Sequence, residues 1–258
     1  MLNFDLKTYF IICPLVFLAG FVDSIAGGGG LISLPAYLLG GLPPIVASAT
    51  NKLSAGMGAT VTFINYFRNG FVRLKLAIPS FLIAILFAGV GAKIQIFIPE
   101  YYLKVFMLVA LPITLIIILN KKSLEPCDDE VKVFTIKEYI KVMIIAMVLG
   151  IYDGLYGPGC GTFLLLAFVN FVKMNIKEAN GLAKAINWGT NIGSLCIFLL
   201  AGKTLIMLGV VAGICNMIGS YLGSNLFAKK GVKVARPIMI IVMILFIIKI
   251  ILELMHII

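Results

Sequence analysis

Apolar residues run along this chain in blocks of roughly twenty, separated by short polar loops and free of the strict alternation of half-buried strands. The blocks fall near residues 9–26, 45–67, 76–97, 101–119, 138–156, 179–201, 204–228 and 235–256. Each is close to the roughly 20 residues that carry a helix across a bilayer. The pattern therefore predicts an all-α integral membrane protein with about eight transmembrane segments. Two shorter apolar pieces, 31–40 and 160–172, follow the first and fifth blocks. They are too short to cross unless each is part of one long broken helix.

Both joints are dense in glycine. The first reads Gly20-Phe-Val-Asp23-Ser24-Ile-Ala-Gly27-Gly28-Gly29-Gly30-Leu-Ile-Ser33-Leu-Pro35. Glycine costs about 1 kcal/mol against alanine inside a helix, so four in a row predict an opened backbone. At membrane depth such backbone survives only where protein or a water-lined cavity satisfies it. The second joint, Gly150-Ile-Tyr-Asp153-Gly154-Leu-Tyr-Gly157-Pro158-Gly159-Cys160-Gly161-Thr162, matches Gly20, Asp23, Gly27 and Gly29 with Gly150, Asp153, Gly157 and Gly159. Further on, Lys52 matches Lys184, Gly70 matches Gly202, Leu76 matches Leu208 and Gly91 matches Gly223. The chain reads as two duplicated four-helix halves, 1–119 and 138–258, joined by a charged polar linker at 120–137. Duplicated halves with the substrate between them are the common plan of secondary transporters.

Charge bears on orientation. The densest basic loops, Arg68/Arg73/Lys75 and Lys229/Lys230/Lys233/Arg236, fall on opposite faces under a plain eight-span count, against the positive-inside tendency. Inverted halves put both on one face. Inversion needs an odd number of crossings per half, which follows if each glycine-broken first element enters and returns.

Composition agrees with the membrane reading. The chain of 258 residues is 61% hydrophobic and 12% charged, against roughly 45–50% and 25% in soluble domains. The formal charge of +10 sits in short inter-helix loops, not in a stripe or tail, which argues against nucleic acid as a partner. Cys13, Cys127, Cys160, Cys196 and Cys215 have no metal-ligand spacing, so neither a zinc site nor a disulfide framework is expected. The start of the chain has no cleavable-signal pattern, and the first block is read as a retained helix.

The candidate chemistry centres on the two joints. Open glycine turns leading into helix N-termini bind anions through backbone N–H groups. Gly27, Gly28, Gly29 and Gly30 supply one turn, and Gly157, Gly159 and Gly161 the other, with Ser24, Ser33 and Thr162 as hydroxyl donors. Lys52 and Lys184 each fall inside or near the start of an apolar span, a position costly enough to suggest use. Thr50 and Asn51 adjoin the first lysine. Asn187 and Asn191 share a helical face with the second. Asp23 and Asp153 are candidates either as ion-pair partners of the lysines or as proton carriers. Cys160, beside a helix N-terminus, offers a competing reading as the thiol of a membrane-embedded enzyme or sulfur-handling accessory protein. No Walker loop, zinc-protease motif or nucleophile elbow is present, and no cofactor or metal is expected.

These motifs carry a resemblance. The joints at 20–35 and 150–163, with Ala-Thr-Asn-Lys-Leu at 49–53 and Ala-Lys-Ala-Ile-Asn at 183–187, resemble the sulfite exporter TauE/SafE family, also called TSUP, over essentially the whole chain. The resemblance implies a permease for small sulfur-containing anions such as sulfite or organosulfonates, with export and proton linkage expected. By position it makes the two glycine turns and the two Lys/Asn helices the substrate site. Pro158 and Cys160 depart from the unbroken glycine run of the first joint, so the halves should contribute unequally.

Overall fold

The computed structural model describes residues 6–99, 101–103 and 134–230. The apolar blocks become helices: α1 (Leu6–Ala26), α2 (Gly30–Leu39), α3 (Pro44–Arg68), α4 (Leu74–Phe97), α5 (Ile136–Leu155), α6 (Cys160–Ala167), α7 (Ile176–Leu200) and α8 (Ile206–Lys230). A π-turn at Phe168–Val172 extends α6. The expected spans at 101–119 and 235–256 lie almost wholly outside the described residues. Among those described, three helices are long and apolar enough to cross a membrane by length and composition: Thr8–Ala26, Leu74–Phe97 and Ile206–Lys230. The long helices α3 and α7 fall short because they carry the lysines and asparagines named above.

Side-chain contacts fix the helix directions. α1 runs parallel to α8, with Asn216 on the carbonyl of Val16 and Ser220 on that of Gly20. α3 also runs parallel to α8, from the Thr50–Leu205 contact to the Asn65–Ser224 contact. α4 runs parallel to α5 and to α7, with Gly154 against Ala88, Gly189 against Phe81 and Gly193 against Ile85. α3 and α7 cross antiparallel: Tyr66 meets Asn180, Phe63 stacks on Trp188, and Gly56 meets Asn191. Thus α1, α3 and α8 point one way, and α4, α5 and α7 the other.

Small residues make these approaches possible. A Cβ on Gly219 would sit 2.0 Å from the Phe17 carbonyl, and one on Gly154 would sit 2.0 Å from that of Ala88. With no hydrophobic drive between helices in lipid, such close backbone packing is what holds them.

The glycine joints are hairpins. Gly40, just past α2, packs against Ile12 and Thr8 near the start of α1, so α2 returns along α1. Lys141 near the start of α5 reaches the Phe171 carbonyl, so α6 and its π-turn return along α5. Neither short piece continues the helix before it, which decides between the two possibilities open from the sequence.

The helix directions also sort the basic residues. Arg68 and Lys229/Lys230 end α3 and α8 at the same end of the bundle where Arg73/Lys75, Lys137/Lys141 and Lys177 begin α4, α5 and α7.

Candidate substrate site between the two glycine turns

Positive φ angles turn the chain at Gly27 (79°) and Gly28 (86°) in the first hairpin, and at Gly157 (95°) and Gly159 (81°) in the second. Side chains other than glycine rarely adopt these values. The two tips touch: a Cβ on Gly27 would lie 2.3 Å from the Thr162 backbone nitrogen. The Thr162 hydroxyl donates to the Ala26 carbonyl at 3.2 Å, tying one hairpin to the other.

Beside the tips lies one cavity with space for a few water molecules, the size of a small polyatomic ion. Its wall takes Gly28, Gly29, Gly30 and Ser33 from the first hairpin, and Gly157, Gly159, Cys160 and Gly161 from the second. α3 contributes Asn51 and Lys52, and α7 contributes Asn187 and Asn191. Asp23 and Asp153 line it as well. Among the described residues, no acceptor engages the backbone N–H of Gly28, Gly30, Gly159 or Gly161. These are the open donors expected where a helix begins.

Each lysine pairs with the aspartate farther from it in sequence. Lys184 Nζ lies 2.7 Å from Asp23 Oδ2, and Lys52 Nζ lies 2.9 Å from Asp153 Oδ2. Asp23 is further fixed by the N–H of Gly29, which donates to Oδ1 at 3.1 Å. The Lys52–Asp153 contact is a buried ion pair, with both side chains no more than 6% exposed. Two charges so deeply buried are stable only as a pair.

Five residues singled out from the sequence do not line the cavity. Ser24 turns its hydroxyl back to the Phe21 carbonyl at 2.9 Å. Thr50 accepts from the backbone N–H of Leu205 at 3.1 Å, and Thr162 is spent on Ala26. Gly27 is closed in by the opposite tip, and Lys184 stands behind Asp23 with a fully buried side chain. Conversely, Asn216, Ser48 and Tyr156 line the cavity and were not singled out. Asn216 repeats as Ser220 and Ser224 at four-residue spacing, one polar stripe on an apolar helix, and that stripe was the available signal.

Trp188 sits between Phe63 and Phe81, with ring centroids 4.9 and 5.0 Å away. Cys160 is buried, its thiol 3.5 Å from the Leu149 carbonyl, and Cys13, Cys196 and Cys215 are free thiols. Cys127 and His256 lie outside the described residues.

The sulfite exporter TauE/SafE family matches residues 12–250. Probable membrane transporter protein ORF9 of a Sinorhizobium species is 35% identical over 227 residues, covering 88% of this chain and 85% of the relative. Probable membrane transporter protein YfcA of Escherichia coli is 34% identical over 247 residues, covering 92% of this chain and 90% of the relative. A probable membrane transporter protein of Haemophilus influenzae is 33% identical over 226 residues, covering 87% of each. No solved structure matches the chain.

Proposed function

The chain belongs to the sulfite exporter TauE/SafE family, and from that membership we propose a secondary permease for a small sulfur-containing oxyanion or organosulfonate such as sulfite. Membrane transport itself is common ground with its relatives. One observation carries the finer reading. The glycine turns of two sequence-related hairpins meet at a single cavity, with backbone N–H groups from both left open. Converging helix N-termini of this kind receive anionic groups in transporters built from repeats.

Inverted halves are the arrangement that the helix directions support. The repeat-related helices α3 and α7 run antiparallel, and each glycine element returns to the face it entered. The basic end of the bundle is then cytoplasmic. Rocking of one half against the other would open the cavity to either side in turn. Export is the direction we assign, with protons as the coupling ion. Asp23 is the more accessible of the two carboxylates, its side chain 24% exposed against 5% for Asp153, and is the natural proton carrier.

Proteoliposomes loaded with sulfite test the reading directly. Wild-type protein should release sulfite in response to a pH gradient. Lys52→Gln and Lys184→Gln should each abolish release while the protein still elutes as a folded, monodisperse species. Wild-type rates in both variants would end the proposal that the cross-paired lysines organise the site.

A further inference from the structure

The rocking motion proposed above needs two bodies, and the packing does not divide them where the sequence repeat does. α1 and α3 pack closely on α8, and α5 and α7 on α4. A Cβ on Gly219 or Gly223 of α8 would strike the carbonyls of Phe17 and Phe21 on α1, and one on Gly213 would strike Met57 of α3. A Cβ on Gly91 of α4 would strike the Ile151 carbonyl of α5, and one on Gly193 of α7 the Ile85 carbonyl of α4. Each of these contacts joins a helix of one sequence half to a helix of the other. Surfaces meshed this tightly move together. Where α3 crosses α7 the fit is looser. A Cβ on Gly56 would meet the Asn191 Cβ at an ordinary 3.5 Å, and Phe63 lies on Trp188 ring to ring.

Among the described residues the chain passes between the two groups twice, at 69–73 and 201–205, which match in the repeat. The crossings are built alike. Gly70 and Gly202 are exposed, with φ of 73° and 64°, and a Cβ on either would meet nothing within 4 Å. The Phe71 N–H still donates to the Tyr66 carbonyl of α3 at 3.0 Å, yet Arg73 Nε donates to Glu178 of α7 at 2.8 Å. Likewise the Lys203 N–H donates to the Phe198 carbonyl of α7 at 3.0 Å, and the Leu205 N–H to Thr50 of α3 at 3.1 Å. Each time the chain changes its attachment within two residues, beside an uncrowded glycine. Such short segments between packed elements can absorb a rotation. We propose that the moving bodies are α1–α2–α3–α8 and α4–α5–α6–α7, with α4 and α8 exchanged between the sequence halves and hinges at 70–73 and 202–205. Lys52 and Asp23 then belong to one body, Lys184 and Asp153 to the other. Both ion pairs span the interface that moves.

Spin-label distances at the basic end of the bundle separate exchanged bodies from sequence halves. Arg68, Lys75, Lys141 and Lys229 are exposed there and clear of the cavity. Pairs of them are changed to cysteine in full-length protein whose five native cysteines are replaced by alanine, then labelled with nitroxides. Distances are read by pulsed electron–electron resonance in lipid, with and without sulfite, at acid and neutral pH. Lys141 and Lys229 share a sequence half but not a body, and their distance should shift. Arg68–Lys229 and Lys75–Lys141 each join the two sequence halves within one body, and their distances should hold. A shift in either of these two pairs, or a fixed Lys141–Lys229 distance beside them, overturns the exchange and leaves rocking in place. No shift in any pair of a protein that still carries sulfite overturns rocking itself, and this inference with it.

Discussion

The two glycine hairpins occupy matching places and are held by different means. The second supports itself: Tyr152 on α5 donates to the Pro158 carbonyl at 2.7 Å, bracing its own turn. At the matching position of α1 stands Val22, which has no hydroxyl to do the same. The first hairpin is held from outside. Tyr66 of α3 donates to the Ser24 carbonyl, Asn180 of α7 to that of Ile25 at 2.8 Å, and Thr162 of α6 to that of Ala26. Their aspartates differ likewise. Asp23 accepts from the Gly29 N–H as well as pairing with Lys184 and is partly exposed, whereas Asp153 is buried against Lys52. A hairpin fixed by its neighbours moves when they move, so under the proposed rocking the first hairpin would follow its neighbours more than the second.

The largest expected contrast is between the two ion pairs. Lys52→Gln strands Asp153, whose side chain is 5% exposed, and should cost about 3–5 kcal/mol of stability. Lys184→Gln leaves Asp23 with the Gly29 N–H and some solvent, and should cost about 1.5–3 kcal/mol. Thermal unfolding in detergent measures both. Equal losses would erase the distinction between the halves. Adding Asp153→Asn to Lys52→Gln should recover much of the first loss, since a neutral pair avoids the stranded charge.

Next comes the contact between the tips. Gly27 and Gly41 both have positive φ, 79° and 83°, but an added Cβ would strike Thr162 and Gly161 at the first and nothing within 4 Å at the second. Gly41→Ala should therefore cost only backbone strain, about 1–2 kcal/mol. Gly27→Ala should part the hairpins as well and abolish sulfite flux. Comparable flux in the two variants would show that the tips need not touch.

The smallest effect is expected at Cys160. Cys160 is in the cavity wall, but its thiol is turned to the Leu149 carbonyl at 3.5 Å, and sulfur is a weak donor. Cys160→Ala should leave sulfite flux within about twofold of wild type, a change under about 0.5 kcal/mol. A lost activity would revive the thiol reading of the second turn.

Much of this molecule was legible in its sequence, and the reasons differ by feature. Apolar runs of bilayer length placed α1, α3, α4, α7 and α8 within a few residues of where they lie, because such runs have few other options in a membrane. The first glycine joint announced its turn because four glycines in a row cannot be helical cheaply, and the second by matching it in sequence. The pairing of the charges was not legible. Lys184 and Asp23 are 161 positions apart, and nothing local says that each lysine meets the aspartate farther from it in sequence. Nor could the sequence tell wall from support. Thr50 and Thr162 look like ligands until their hydroxyls are found committed to backbone groups of other elements. Asn216 went unmarked because the stripe it forms with Ser220 and Ser224 has no counterpart in the repeat, where residues 84, 88 and 92 are all alanine.

Everything proposed for the site requires an anion to sit between the two turns. Selenite has the shape of sulfite and scatters anomalously, so crystals of the protein soaked in it would locate the site without assumption. One selenium peak is expected in the cavity, within hydrogen-bonding reach of backbone N–H groups from both Gly28–Gly30 and Gly159–Gly161. Ordered selenium elsewhere along the helices, with that cavity empty, would contradict it.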